Sequence, residues 1–224
     1  LKQAGDLGVV SAAQINWALP LVPLRSGPYG LWMLRETQNL LLELGPHPFS
    51  MAADLFGPLT VEHVSLGQWI TLPGGEKRPQ SWRVLARAGN VDVTINLSLV
   101  ETFDDRSVTL RGSSAMARMD FAADTLVVSR DNTADLVLNP LIKELGKSGA
   151  HLREGLRNAF RQAASLNQKS PYGLSFRNTV AAFYQGIRSG TPDARFAPAA
   201  ARAVMGGIGD ALDRLPRLPG IPAR

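Results

Sequence analysis

The chain contains no cysteine. That excludes disulfides, thiolate zinc sites and cysteine nucleophiles. Histidine is scarce too, with only His47, His63 and His151 in 224 residues, so no metal site is expected. No apolar run reaches the roughly 18 residues that a membrane helix needs. The opening LKQAGDLGVV lacks a basic segment followed by an apolar core. A cytoplasmic protein with no membrane partner is the expectation. Lysine and arginine outnumber the acids 24 to 19, for a net charge of +5. The basic residues are nevertheless scattered singly, without runs or interleaved aromatics, so nucleic acid is not an expected partner. A modest positive field suits small phosphorylated or acidic molecules better.

What is present is a chain with 45% hydrophobic residues, enough to bury a real core. One domain over 1–224 is the simplest count, with PRLPGIPAR at 216–224 as a frayed tail. The chain opens at Leu1 in mid-pattern, without an initiator methionine, and reads as a piece of a longer protein.

In order, a turn at AGDLG leads into a strand ending at Leu19, and an irregular segment from Leu21 to Glu36 carries Tyr29, Trp32 and Arg35. Val61 to Leu72 reads as a strand, and Pro73 to Pro79 as a charged turn. From Trp82 strands follow quickly. Val91, Val93, Ile95, Leu97 and Leu99 alternate with Asp92, Thr94, Asn96 and Ser98, the period of a sheet with one buried face. Arg106–Arg111, Ala115–Phe121 and Thr125–Arg130 continue the meander, with a turn at Asp104/Asp105. The period then changes to helical over Leu136 to Leu166, interrupted at Gly146 to Gly149, where Arg153, Arg157 and Arg161 mark a solvated face. SPYG at Ser170 to Gly173 breaks it, and helices follow over Ser175–Ser189 and Ala197–Leu215. This order predicts an α+β fold: a large, open, predominantly antiparallel sheet with helices on one face. A G-I-G-D-A-L stretch from Gly207 imitates half of a dinucleotide fingerprint, but it lies inside a helical pattern, so close helix packing is expected there.

The stretch richest in chemistry is Asn39 to Gly57, NLLLELGPHPFSMAADLFG. A helix through Leu40, Leu41, Leu42 and Leu44 should end near Gly45, with Glu43 in its last turn. Pro48 suits the first position of a second helix over Phe49–Phe56, which leaves His47 at or near its N-cap and Gly57 just past its end. A carboxylate beside an imidazole is a proton-handling pair. A plain turn histidine is the competing reading.

AGDLGVV, ELGPH at Glu43 to His47, DLFG, LRGSSAMARMDF and FYQGIRSGTPDARF, taken in order, resemble the C-terminal domain of the glucose-fructose oxidoreductase, inositol dehydrogenase and MocA (Gfo/Idh/MocA) family. The likeness covers nearly the whole chain. ELGPH is similar to the family's D-x-G-x-H. The resemblance implies a glyceraldehyde-3-phosphate-dehydrogenase-like C-terminal domain. Its implied role is the substrate-binding and oligomerisation half of an NAD(P)-dependent oxidoreductase acting on a sugar, sugar nucleotide or cyclitol. It implies that His47 acts as, or assists, the acid/base at the sugar hydroxyl, and that Glu43, in place of an aspartate, orients His47 or touches the substrate. Trp32, Arg35 and Asn39 are candidate substrate contacts. Thr37, Gln38 and Asn39 stand where the family often has glycines. NAD or NADP would be bound mainly by a Rossmann domain of about 120 residues, whose glycine fingerprint and Glu-Lys-Pro lysine are absent here. Expected partners are a carbohydrate-like substrate and a second copy of the chain, joined through the free face of the sheet. The rival function is a non-catalytic binding or scaffolding module on the same fold.

Overall fold

A computed structural model of the chain describes residues 5–20, 32–72, 74–130, 138–165 and 170–215. Of the irregular segment predicted over Leu21–Glu36, residues 21–31, with Tyr29, lie outside them, as does the frayed tail, and Trp32–Arg35 form a short helix instead. Nine strands and six α-helices are described. The strands are β1 (Val10–Pro20), β2 (Thr60–Leu66), β3 (Trp69–Thr71), β4 (Lys77–Pro79), β5 (Ser81–Ala88), β6 (Val91–Ser98), β7 (Val100–Gly112), β8 (Ala115–Asp120) and β9 (Thr125–Arg130). The helices are α1 (Trp32–Arg35), α2 (Asn39–Leu44), α3 (Pro46–Phe56), α4 (Leu138–Ala164), α5 (Pro171–Ser189) and α6 (Pro198–Asp213).

Seven strands form one sheet in the order β2-β5-β6-β1-β7-β8-β9, and β3 and β4 form a separate antiparallel pair. The fold is the predicted α+β type with a mostly antiparallel sheet. The predicted meander is corrected in one place: β1 lies between β6 and β7. A single residue, Leu99, separates those two strands, too little to close even the shortest hairpin, so β7 cannot fold back beside β6. The turn expected at Asp104/Asp105 is instead part of β7. Val61 to Leu72 divides into β2 and β3, and the charged turn after it contains β4.

The chain separates into two compact units. One comprises Gln14–Asp104 with Pro198–Arg224. Its core is the period-2 face read from the sequence: Val93, Ile95 and Leu97 of β6 lie opposite Ala86, Val84 and Trp82 of β5, and all are buried. Each large apolar side chain of this kind contributes about 1.5–3 kcal/mol by leaving water. Helix α3 packs on β5 and β6, and α6 packs on α3 and β2. The opposite face is polar, with Arg83 Nε donating to Asn96 Oδ1 at 3.3 Å and Asn96 Nδ2 to Asn16 Oδ1 at 2.9 Å. The glycine decoy resolves as helix packing: a Cβ on Gly207 would stand 3.0 Å from the ring of fully buried Phe49.

The other unit comprises Leu1–Ala13 with Asp105–Ala197. The AGDLG turn closes through Gly8 N–H donating to the Gly5 carbonyl at 2.9 Å, with Gly8 at φ +68°. Gly112 approaches this turn so closely that a Cβ there would meet the Leu7 carbonyl oxygen at 2.0 Å. Helix α4 packs on β9. It runs unbroken for 27 residues, against the predicted interruption at Gly146–Gly149. Two glycines cost about 1 kcal/mol each relative to alanine, and no proline removes a hydrogen bond there, so the long helix absorbs them. SPYG likewise begins a helix: Ser170 caps α5 by accepting from Gly173 N–H at 3.3 Å, and Pro171 takes the first helical position. Asp193 caps the short 3₁₀ turn Ala194–Phe196, where its bonds to the Arg195 side chain and backbone N–H hold its pKa at about 2 rather than 3.8.

Three outcomes are expected. Gly207→Leu should lower stability by about 1–3 kcal/mol in chemical denaturation, as overpacking does. Gly209→Ala, with open space at its Cβ, should be neutral or raise stability by up to about 1 kcal/mol. For Asp193, the ionised form is favoured by folding, so its stabilising contribution is present above the ordinary carboxylate pKa and is lost as pH falls towards 2. An NMR titration of its carboxyl carbon should show that low midpoint in the wild type and one near the ordinary value in Arg195→Ala.

Candidate active site

The predicted stretch lies within the Gln14–Asp104 unit. Its leucines drive α2 inward, burying Leu40, Leu41 and Leu44 and leaving Glu43 exposed. Helix α3 starts earlier than predicted, at Pro46, so His47 is its second residue, near the N-cap at Gly45. Gly45 stays helical, at φ −55° and ψ −39°. It donates to the Leu41 carbonyl at 2.8 Å and accepts from Phe49 N–H at 3.0 Å. Pro46 fits because its missing N–H would have had no partner in a first turn. Gly57 ends α3 as expected, at φ +92°.

Glu43 and His47 are four residues apart on backbone that remains helical between them, so they share one side. No hydrogen bond or ion pair joins them. The imidazole instead lies on the Trp17 indole of β1, with ring centroids 5.1 Å apart and planes 12° from parallel. Trp17 is buried while His47 is exposed, so the ring has a rigid floor and a solvent-facing rim. Stacked rings of this kind contribute about 0.5–1.5 kcal/mol beyond burial. The His47 carbonyl also accepts from Ser50 Oγ at 2.8 Å.

The remaining candidates have separate surroundings. Asn39 is buried, and its Nδ2 donates to the Trp32 carbonyl at 2.8 Å, so its amide braces α1 against α2. Trp32 and Arg35 lie on α1 with exposed side chains. Arg78 of β4 clamps the end of that helix: its Nε donates to the Leu34 carbonyl at 2.7 Å and its Nη2 to the Arg35 carbonyl. Trp17 and Arg78 are the two residues that the sequence reading missed. Trp17 was legible only as a strand former, and Arg78 only as part of a solvated charge cluster.

No protein-family profile and no curated protein matches the sequence. Solved structures do. Levoglucosan dehydrogenase in complex with NADH and levoglucosan aligns at TM-score 0.65 and 14% identity, over 95% of this chain and 58% of that one. UDP-N-acetylglucosamine 3-dehydrogenase GnnA from Acidithiobacillus ferrooxidans aligns at TM-score 0.59 and 14% identity, over 96% and 56%. The 3-ketoreductase KijD10 from Actinomadura kijaniata, with TDP-benzene and NADP, aligns at 0.55 and 16%, over 94% and 54%. The chain spans little more than half the length of these structures. No described helix is long and apolar enough to cross a membrane.

If Trp17 is the floor beneath His47, Trp17→Ala should remove the ring-current displacement of the His47 imidazole proton resonances, while Trp17→Phe should keep most of it. Unchanged shifts in the alanine variant would refute the stack. Arg78→Ala should cost about 1–2 kcal/mol in thermal denaturation through its lost carbonyl bonds.

The geometry and the alignments together give the chain the fold of the C-terminal domain of sugar oxidoreductases of the Gfo/Idh/MocA type.

Proposed function

We propose that this chain is the substrate-binding and catalytic-histidine half of an NAD(P)-dependent oxidoreductase acting on a hydroxyl or carbonyl of a sugar, sugar nucleotide or cyclitol. The observation that carries this reading is His47, held flat on Trp17 with an exposed rim, in a fold whose solved neighbours are sugar oxidoreductases. An imidazole titrates in the physiological range and can take or return the proton of a substrate hydroxyl. Glu43 supplies a negative field on the same side, and Trp32 and Arg35 offer an aromatic face and a cation to a polyhydroxylated ligand. Asn39 acts indirectly, by fixing the carbonyl of Trp32.

The described residues do not fit the dinucleotide itself. Their one glycine-rich imitation lies in the middle of α6 with Gly207 against Phe49, so its backbone N–H groups are not gathered at a helix start for a pyrophosphate. The hydride carrier would therefore be held by a Rossmann domain outside these residues, and the role assigned to this chain is to orient the substrate and move its proton. No group of three or more acidic or histidine side chains among the described residues is placed to hold a metal. Association of copies through the polar face of the sheet accompanies the reading.

The test is NAD(P)-dependent turnover of a sugar panel by the complete protein. His47→Ala should lower kcat/KM by roughly 100-fold or more, the usual scale for losing a general acid/base. Equal rates would remove the catalytic role and leave the binding or scaffolding alternative.

A further inference from the structure

Helix α4 is amphipathic, and it faces the wrong way for a helix whose apolar stripe completes its own core. Its less exposed side is polar. Glu154, Asn158, Arg161 and Gln162 lie on that side, where Asn158 Nδ2 donates to the Ala123 carbonyl at 2.5 Å and Arg161 pairs with Asp124. These bonds fix the rotation of the helix. They turn Leu141, Ile142, Leu145, Leu152, Leu156 and Phe160 outward, at 47–77% exposure. At 3.6 residues per turn these six share an arc of about 100°. Together they leave on the order of 800 Å² of side chain open, more than the largest patch of an ordinary monomer and about what each partner contributes to a standard interface.

We propose that α4 pairs with α4 of a second copy of this chain, antiparallel and across a two-fold axis. The stripe repeats every 3.5 residues through Ile142, Leu145, Gly149, Leu152, Leu156 and Ala159, which is the seam of a two-stranded coil. Antiparallel pairing about a point between residues 150 and 151 sets Leu152 against Gly149 of the partner subunit. It sets Leu145 against Leu156 of the partner subunit, and Ile142 against Ala159 of the partner subunit. Two of these three layers oppose a large residue to a small one, the complementarity that close packing needs. A glycine with nothing within 4 Å of its Cβ position lets the axes approach. Arg153, which flanks the seam, faces the backbone of Gly146 of the partner subunit, so no like charges meet across it.

Sedimentation velocity on the chain at micromolar concentration should give a species larger than the monomer. Leu145→Glu combined with Leu156→Glu should remove the α4 contact and leave at most the smaller species joined through the sheet face, with an unchanged far-ultraviolet circular dichroism spectrum, because both positions are exposed within the chain. With no native cysteine, the register can be read directly. Leu145→Cys with Leu156→Cys should form a covalent dimer on a non-reducing gel at least tenfold more than Leu145→Cys with Leu152→Cys, whose sulfurs do not face each other. A monomeric wild type, an assembly of unchanged size in the double glutamate variant, or equal crosslinking by the two cysteine pairs would overturn the proposal. So would a monomeric chain that co-sediments with anionic phospholipid vesicles, the other occupant that a basic amphipathic helix suits.

Discussion

The contact between Phe49 and Gly207 governs the position of everything chemical in the Gln14–Asp104 unit. Phe49 is fully buried, and a Cβ at Gly207 would press on its ring. The sheet face built by Trp82, Val84, Ile95 and Leu97 supports α3 from one side, and α6 closes on it from another. Because Phe49 sits only two residues after His47, seating that ring orients the first turn of α3. The imidazole then has one firm neighbour, Trp17, whose own position is set by the alternation of β1. Apolar packing with no chemistry of its own thus determines where the titratable group stands.

The parts of this arrangement that depend on local periodicity were legible in the sequence. The alternation from Val91 to Leu99 names Val93, Ile95, Leu97 and Leu99 as the buried face, Gly57 marks the end of α3 although its start is at Pro46 and not at Pro48, and the G-I-G-D-A-L stretch lies in a helical pattern that marks it as packing. Contacts between distant segments were not legible. Nothing in a strand pattern says that Trp17 will lie under a histidine thirty residues later, or that Arg78 will reach back to the carbonyls of Leu34 and Arg35. Helix breakers were over-read for a related reason. Glycine and Ser-Pro have local costs, but the same residues serve inside a long helix or at its start when the neighbouring turns supply the hydrogen bonds.

The two units use charge differently. His47 is exposed, and its ring lies on Trp17 with no charged partner among the described residues. Where the β8–β9 turn meets α4 and α5, a hollow of about 410 Å³ is lined by Asp120, Asp124, Glu154, Arg157 and Arg161. Its charges already answer each other, Arg161 with Asp124 and Arg157 with Glu154 at 3.8 Å. Such internally matched groups hold α4 in its rotation and have little left for a substrate.

The place of β1 in the sheet also bears on how the protein comes to be folded. It is the first described strand to leave the ribosome, yet its sheet neighbours are β6 and β7, and the Asn16–Asn96 bond spans 80 residues of sequence. Until those later strands have been synthesised, β1 exposes both backbone edges together with Val10, Ile15 and Trp17. Such long-range closure makes folding slow and leaves the nascent chain open to aggregation. The single-residue link at Leu99, which keeps β7 from folding back on β6, is thus also what makes completion of the sheet a late event in the life of the polypeptide.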